Sequence, residues 1–207
     1  TEVNWQMAGE FNARNLAMSC LGSLLAQSAK EDREIDPSNP FSGRTIPDYS
    51  NCKGVKRRQE VLIDREEVVV LSDFAHHPTA IEGMLRSMRS RWPGHRIIAC
   101  FEPRSNTAAT NIFQDRFADS LAVADLVLLG AVHRAEKIPP AQRINTQAMA
   151  VRIKEAGKEA HAFNENHKIA HFIESGTCDQ KPVLLVFFSN GSFDGVIDRV
   201  SNFMSDG

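Results

Sequence analysis

Val183-Leu184-Leu185-Val186-Phe187-Phe188 runs straight into Ser189-Asn190-Gly191-Ser192-Phe193-Asp194-Gly195. Six consecutive apolar residues that stop at a polar, glycine-bearing corner predict a strand buried on both faces. A strand of that kind belongs to a parallel sheet with helices on either side. The corner behind it, at the start of a helix carrying Val196, Ile197, Val200, Phe203 and Met204, offers backbone N–H groups and a positive dipole end to an anion.

The pattern repeats upstream. Glu60–Asp64 and Val68–Ser72 flank a charged turn at Arg65-Glu66 and predict a hairpin. Pro78 opens a helix with Ile81, Met84, Leu85 and Met88 on one face. Strands follow at Arg96–Phe101, Asp125–Leu129 and Ala160–Phe163, separated by helices around Phe113–Leu121 and Thr146–Ala156, and a helix over Glu165–Ser175 leads back to Val183. Strand and helix thus alternate from Val68 onward, which predicts an α/β fold with a mostly parallel sheet. Before this region, residues 12–29 repeat apolar positions (Leu16, Ala17, Cys20, Leu21, Leu24, Leu25) at helical spacing. Residues 31–51 are then broken by Asp36-Pro37, Asn39-Pro40, Ser42-Gly43 and Ile46-Pro47. The expected organisation is therefore a first segment, residues 1–53, and an α/β domain, residues 54–207.

The 207 residues are 42% hydrophobic and 24% charged, with 24 Lys and Arg against 26 Asp and Glu. That is globular composition, and it excludes disordered, collagen-like and rod-like chains. A near-neutral balance gives no footprint for nucleic acid, and no apolar run reaches the roughly 20 residues of a membrane span. Cys20, Cys52, Cys100 and Cys178 form no C-x-x-C pair, so reduced thiols are expected and zinc is not.

In an open parallel sheet, ligands bind beyond the carboxyl ends of the strands. Three polar loops fall there: Asp73-Phe74-Ala75-His76-His77-Pro78-Thr79, Glu102-Pro103-Arg104-Ser105-Asn106-Thr107, and Ser189 to Gly195. Each also has a plainer reading. Asp73 suits a turn or cap. His76 and His77 are adjacent, cannot share a helix face, and make a poor metal pair. Arg104 suits a solvated surface, and Ser189-Asn190-Gly191 suits a strand-to-helix turn. Lys53, Lys56, Arg57 and Arg58 form a basic knot, either a solvated run or a phosphate contact. The chain contains no G-x-x-x-x-G-K-[ST], G-x-G-x-x-G or G-x-S-x-G motif.

Read together, the loops resemble the Mur ligases. Gly9-Glu10-Phe11-Asn12-Ala13-Arg14-Asn15 resembles the family's G-x-H-N-x-x-N motif, and Gly54-Val55-Lys56-Arg57-Arg58-Gln59-Glu60 its G-x-x-R-R-x-E segment. Asp73 to Thr79 is similar to D-[YF]-[AG]-H-H-P-T of the muramate-binding members. Phe101 to Thr107 and Ser189 to Gly195 are similar to F-E-P-R-S-N-T and S-N-G-G-F-G-G of the branch that adds a tripeptide. The resemblance spans Gly9 to Gly195 and covers the family's C-terminal part. It implies the tail of the central ATP-binding domain at 1–53 and a Rossmann-like C-terminal domain at 54–207.

The implied activity is ATP- and Mg2+-dependent amide formation between UDP-N-acetylmuramate and L-Ala-γ-D-Glu-meso-diaminopimelate, in cytoplasmic peptidoglycan recycling. The alternatives are a ligase adding L-alanine and a non-catalytic muropeptide-binding module. By the same resemblance, Asn12 and Asn15 hold adenine, Arg57 and Arg58 meet phosphate, and Asp73 binds the ribose. Substrate contacts are implied for His76, His77, Arg104, Ser105, Asn106, Thr107, Ser189, Asn190 and Gly191. The phosphate loop, magnesium ligands and muramate site are expected before Thr1, so this stretch alone is expected to be inactive. Phe11 stands where the family motif has histidine, and Ser192 and Asp194 stand where its loop has glycines. The Asp194 charge is expected to weaken anion binding at that corner.

Overall fold

A computed structural model describes residues 10–32, 34–41, 56–177 and 182–206. Backbone contacts divide the chain into two compact units, Thr1–Gly54 and Val55–Gly207.

In the first unit, helix α1 spans Glu10–Glu31. Its protected side centres on a line at i+4 spacing: Asn12, Leu24 and Ser28 are buried, Leu16 and Cys20 are half-buried between them, and Leu21 is half-buried alongside. The apolar stripe is thus narrower than the sequence suggests, since Ala17 and Leu25 lie exposed beside it. Past the helix, Asp36 accepts the Ser38 backbone N–H at 2.8 Å, a local Asx turn that suits the Pro37 corner.

The second unit is built on a six-stranded sheet: β1 (Glu60–Asp64), β2 (Val68–Asp73), β3 (Arg96–Phe101), β4 (Leu126–Leu129), β5 (Glu159–Ala162) and β6 (Val183–Phe188). Their spatial order is β1-β2-β6-β3-β4-β5. Only β1 is antiparallel, hairpinned onto β2 with a register step at Leu62; every other neighbour is parallel. β6, the last strand in the chain, lies between β2 and β3, which explains why all six of its residues are buried.

Helices are α2 (Pro78–Arg91), α3 (Gln114–Leu121), α4 (Thr146–Glu155), α5 (His167–Phe172) and α6 (Val196–Asp206). Strand side chains alternate between faces, and the two faces have different covers. Val68, Val70, Ile98, Cys100, Leu126, Leu128, Val183, Leu185 and Phe187 pack with Ile169 and Ile173 beneath α5 and Val196, Val200 and Met204 of α6. On the other face Phe101 meets Phe117 of α3 with ring centroids 5.1 Å apart, and α2, α3 and α4 pack side by side. This is the α/β, mostly parallel sheet with helices on both faces that the sequence predicts.

Local chemistry sets the boundaries. α4 is capped by Asn145, whose side chain accepts the Ala148 N–H at 3.0 Å. Asp125 stands just before β4; its carboxylate accepts the Ile97 N–H at 2.9 Å and pairs with Arg89 at 2.6 Å, so the strand opens at Leu126. The helix expected over Glu165–Ser175 is regular only over His167–Phe172 and then widens into a single π turn ending near Gly176 (φ 106°). Among the described residues neither Cys20 nor Cys100 forms a disulfide, while Cys52 and Cys178 fall outside the described residues. No described helix is long and apolar enough to cross a membrane.

Candidate functional site

The strand register aligns Asp73, Phe188, Phe101 and Leu129 in one row at the carboxyl rim. The ladder continues one residue further: Ser189 N–H donates to Asp73 O, Glu102 N–H to Phe188 O, and Gly130 N–H to Phe101 O. The three polar loops therefore leave three adjacent strands, in the order β2-β6-β3, and stand side by side.

At the β2 corner, Asp73 is nearly buried, and both carboxylate oxygens accept backbone N–H groups. Gln59 donates to Oδ2 at 2.8 Å and Ala75 to Oδ1 at 2.7 Å. Burial pushes the Asp73 carboxyl above the ordinary carboxylate range; those two donors and the nearby Arg58 charge pull the other way without overcoming it. The turn it holds is strained, with Arg57 (φ 60°) and Gln59 (φ 50°) both left-handed. Glu60 Oε2 accepts the Arg57 N–H at 2.8 Å, and Phe74 N–H donates to Arg57 O at 2.7 Å. The turn leaves the Arg58 side chain exposed and Arg57 half-buried, and no ion pair among the described residues engages either guanidinium.

At the β6 and β3 corner the tie is between side chains. Glu102 is buried, and its carboxylate accepts three donors. Ser189 Oγ–H donates to Oε2, while Arg104 Nη1 and Asn166 Nδ2 share Oε1 at 3.3 Å each. Gly191 N–H returns to Ser189 Oγ at 2.9 Å. The Arg104 side chain lies across Gly191: a Cβ there would sit 2.2 Å from Arg104 Nε, so only glycine admits this packing. Asn190 Oδ1 is buried with no partner among the described residues, an acceptor fit for an incoming N–H. Phe193, Asp194 and Gly195 are consecutively left-handed (φ 53°, 50° and 80°). Phe193 is fully buried against Phe187, and Asp194 Oδ2 accepts Asn166 Nδ2 at 2.8 Å.

The remaining expected residues are peripheral to these two clusters. Ser105 Oγ accepts the Ala108 N–H at 3.0 Å and shapes its own turn, while Asn106 and Thr107 are exposed. His76 is exposed and bonds the Phe74 carbonyl at 3.0 Å; His77 is exposed and meets the Phe113 ring edge-on. Asn12 is buried and Asn15 exposed, both on α1 in the first unit. Lys53 and Phe11's side chain lie outside the described residues. Among the described residues no group of three or more His, Cys, Asp or Glu is placed to hold a metal ion. Two participants escaped the sequence reading. Glu102 was visible within its loop, but a carboxylate between a phenylalanine and a proline gave no sign of being the anchor. Asn166 stands beyond the end of β5 on the same rim. Inspecting the exit loop of every strand, rather than of three, would have found it.

Residues 57–187, which hold the β2 corner and the Glu102 side of the other, match the family described as Mur ligase, glutamate ligase domain. The chain belongs to the Mur ligase family. The UDP-N-acetylmuramate–L-alanyl-γ-D-glutamyl-meso-2,6-diaminoheptandioate ligase of Escherichia coli K12 is 37% identical over 129 residues, 62% of this chain and 26% of that one. The UDP-N-acetylmuramate–L-alanine ligase of Cytophaga hutchinsonii is 37% identical over 86 residues, 42% of this chain and 18% of its own. A crystal structure of a murein peptide ligase from Psychrobacter arcticus superposes with a TM-score of 0.64 at 26% identity, over 99% of this chain and 39% of that one. This Mur ligase chain thus spans about a quarter or less of the length of these two curated relatives.

Proposed function

We propose that the chain supplies the closing domain of an ATP-dependent amide ligase joining UDP-N-acetylmuramate to the tripeptide L-Ala-γ-D-Glu-meso-diaminopimelate. The observation that carries this reading is the Glu102–Pro103–Arg104 corner, fixed through a buried carboxylate to the Ser189–Gly191 loop. It holds a guanidinium and an orphaned amide oxygen at one rim. A guanidinium suits a peptide carboxylate, and the Asn190 oxygen suits an amine N–H. Arg104, Ser105, Asn106, Thr107, Ser189, Asn190 and Gly191 would face the incoming peptide, with His76 and His77 flanking.

Bound ATP would supply the phosphoryl group that activates the acid. The residues present fit a nucleotide in part. Arg58, exposed on a strained turn, would meet the terminal phosphate with Arg57 beside it. Asp73 spends one lone pair of each oxygen on the backbone and would offer the remainder to ribose hydroxyls. Asn12 and Asn15 would take the adenine edge, as an amide carries both donor and acceptor. Among the described residues no group of three or more His, Cys, Asp or Glu is placed to hold the Mg2+ that the family reaction uses. Recycling of cell-wall peptide in the cytoplasm is the setting this reading implies.

The test is a ligation assay on the native protein with tripeptide and with L-alanine as competing acceptors. Preference for tripeptide is expected; preference for L-alanine would move the protein to the second reading, which the Cytophaga relative favours. Muropeptide binding with no ATP dependence and no product would establish a binding module instead. The 207-residue chain by itself is expected to release no ADP with both substrates and Mg2+, since its sequence has no phosphate-loop motif.

A further inference from the structure

Asn166 lies outside all the motif loops, yet its side chain makes bonds to three of its neighbours on the rim. Its Oδ1 accepts the Ala131 N–H at 2.8 Å, just past β4. Its Nδ2 donates to Asp194 Oδ2 at 2.8 Å, past β6, and to Glu102 Oε1 at 3.3 Å, past β3. Asn166 itself comes after β5, so one amide ties the ends of four strands that are contiguous in the sheet. It is 5% exposed. The space is shaped for it: a Cβ on Gly130 would come within 2.5 Å of Asn166 Oδ1.

No other side chain meets these demands at this length. The position needs one acceptor and two donors, and it admits no negative charge, because it sits between two carboxylates. An amide provides all of this, whereas a carboxylate would donate nothing and bring a third negative group.

The consequence falls on Arg104. Arg104 Nη1 and Asn166 Nδ2 divide a single oxygen, Glu102 Oε1, at equal distances of 3.3 Å. Oε1 has a lone pair for each, but two N–H groups of like partial charge on one oxygen weaken and lengthen each other's bond. The Arg104 side chain retains 26% exposure under this arrangement. We infer that Asn166 is a positioning residue for the acceptor end of the reaction: by sharing Glu102 with Arg104, it holds the guanidinium out on the rim. With Asn166 gone, Arg104 has the oxygen to itself and withdraws toward it. The same amide offsets the departure at Asp194. That residue occupies a left-handed backbone position at φ 50°, where glycine is unstrained, and its bond to Asn166 compensates for the conformation.

This inference rests on the ligase reading for its functional consequence, but not for its geometry, so two measurements on the native protein are paired. The first is steady-state ligation by Asn166→Ala. The KM for the acceptor peptide is expected to rise about tenfold or more, with kcat and the ATP KM within about twofold of wild type. A variant that loses kcat and thermal stability together, with acceptor KM unmoved, would make Asn166 merely structural and overturn the inference.

The second measurement is the 15Nε–1H resonance of Arg104, assigned by its loss in Arg104→Lys. It is expected to shift in Asn166→Ala. It is also expected to shift in Asp194→Gly, which removes Asn166's shorter Nδ2 bond while suiting the left-handed backbone and so keeps the protein folded. An unmoved resonance in Asp194→Gly and in any folded Asn166→Ala sample would overturn the inference whatever the protein catalyses. If the resonance moves but wild type ligates neither tripeptide nor L-alanine, the ligase reading falls and the positioning role stands.

Discussion

Two corners of one sheet rim solve the same mechanical problem with different materials. At β2, two carboxylates hold the left-handed residues by accepting backbone N–H groups: Asp73 takes those of Gln59 and Ala75, and Glu60 takes that of Arg57. At β6 and β3, Glu102 holds its corner through Ser189, Asn166 and Arg104, three side chains from three loops. A backbone-held turn tolerates almost any side chain on its outside, so it can display bare cations such as Arg58. A side-chain network is specific to the residues that build it, and its geometry changes when any one of them changes. On the proposed reading, the first arrangement would meet the phosphates and the second the acceptor.

The largest effect that would break this comparison is Glu102→Ala. It strands three donors, one of them a guanidinium, around a buried void. Removing one partner from a buried charged network costs about 3–5 kcal/mol, read as a lowered urea midpoint. A loss below about 1 kcal/mol would show that Ser189, Asn166 and Arg104 hold the corner without the carboxylate, and the contrast with Asp73 would collapse. Glu102→Gln keeps the shape and two bonding atoms, and is expected to lie between that variant and wild type.

Arg58→Ala in the native protein is next. A charged hydrogen bond contributes about 1.5–3 kcal/mol, so the apparent affinity for ATP is expected to fall by about ten- to a hundredfold. Stability should not change, because no described ion pair uses this guanidinium. Unchanged ATP dependence would place the nucleotide elsewhere; a large loss of stability would mean that the turn depends on its arginine after all.

Much of this was legible in the sequence because the strands are apolar throughout and the breaks between them are sharp. Val183–Phe188 predicts both its own burial and the two-sided cover, and the loops after β2, β3 and β6 were rightly grouped on one rim. What the sequence could not supply was the order of strands. Nothing local in Val183–Phe188 says that the last strand inserts between β2 and β3, and that insertion is what brings Ser189 to Glu102. Asn166 was missed for the same reason: its partners lie 28, 35 and 64 residues away. Asp194 brings its expected negative charge to that corner, but nothing local in the sequence says that its carboxylate also accepts the Asn166 amide. Motif residues such as Ser105 and His76 turned out to be spent largely on their own loops.

Gly191→Ala sharpens the side-chain corner from the other direction. The new methyl would sit 2.2 Å from Arg104 Nε, but a flexible side chain can swing away, so the midpoint of unfolding should fall by well under the loss in Glu102→Ala. The acceptor KM is expected to rise by several-fold with ATP KM unchanged. A drop in ATP affinity instead would merge the two corners into one site.

The smallest effect separates the two ways a carboxylate can serve the fold, and it uses pH. Asp73 and Asp125 each accept a backbone N–H near a strand end, yet their acidities move oppositely. Burial dominates at Asp73 and raises its pKa, since Arg58 acts only from a distance. At Asp125 burial also pulls upward, but the Ile97 N–H, the Arg89 guanidinium at 2.6 Å and Lys158 at 3.5 Å outweigh it, so its pKa is lowered. A raised carboxyl contributes stability that is complete below its unfolded pKa of about 3.9 and is lost as pH rises through the folded value. A lowered one contributes stability that is complete above about 3.9 and is lost as pH falls through the folded value. The stability of wild type relative to Asp73→Asn should therefore decline as pH rises above about 4, while its stability relative to Asp125→Asn should decline as pH falls below it. Urea midpoints of the three proteins across that range read both differences directly. Two differences that change in the same sense would mean that Arg58 lies close enough to Asp73 to act as Arg89 does on Asp125, and the β2 corner would then be an ion pair rather than a backbone-held turn.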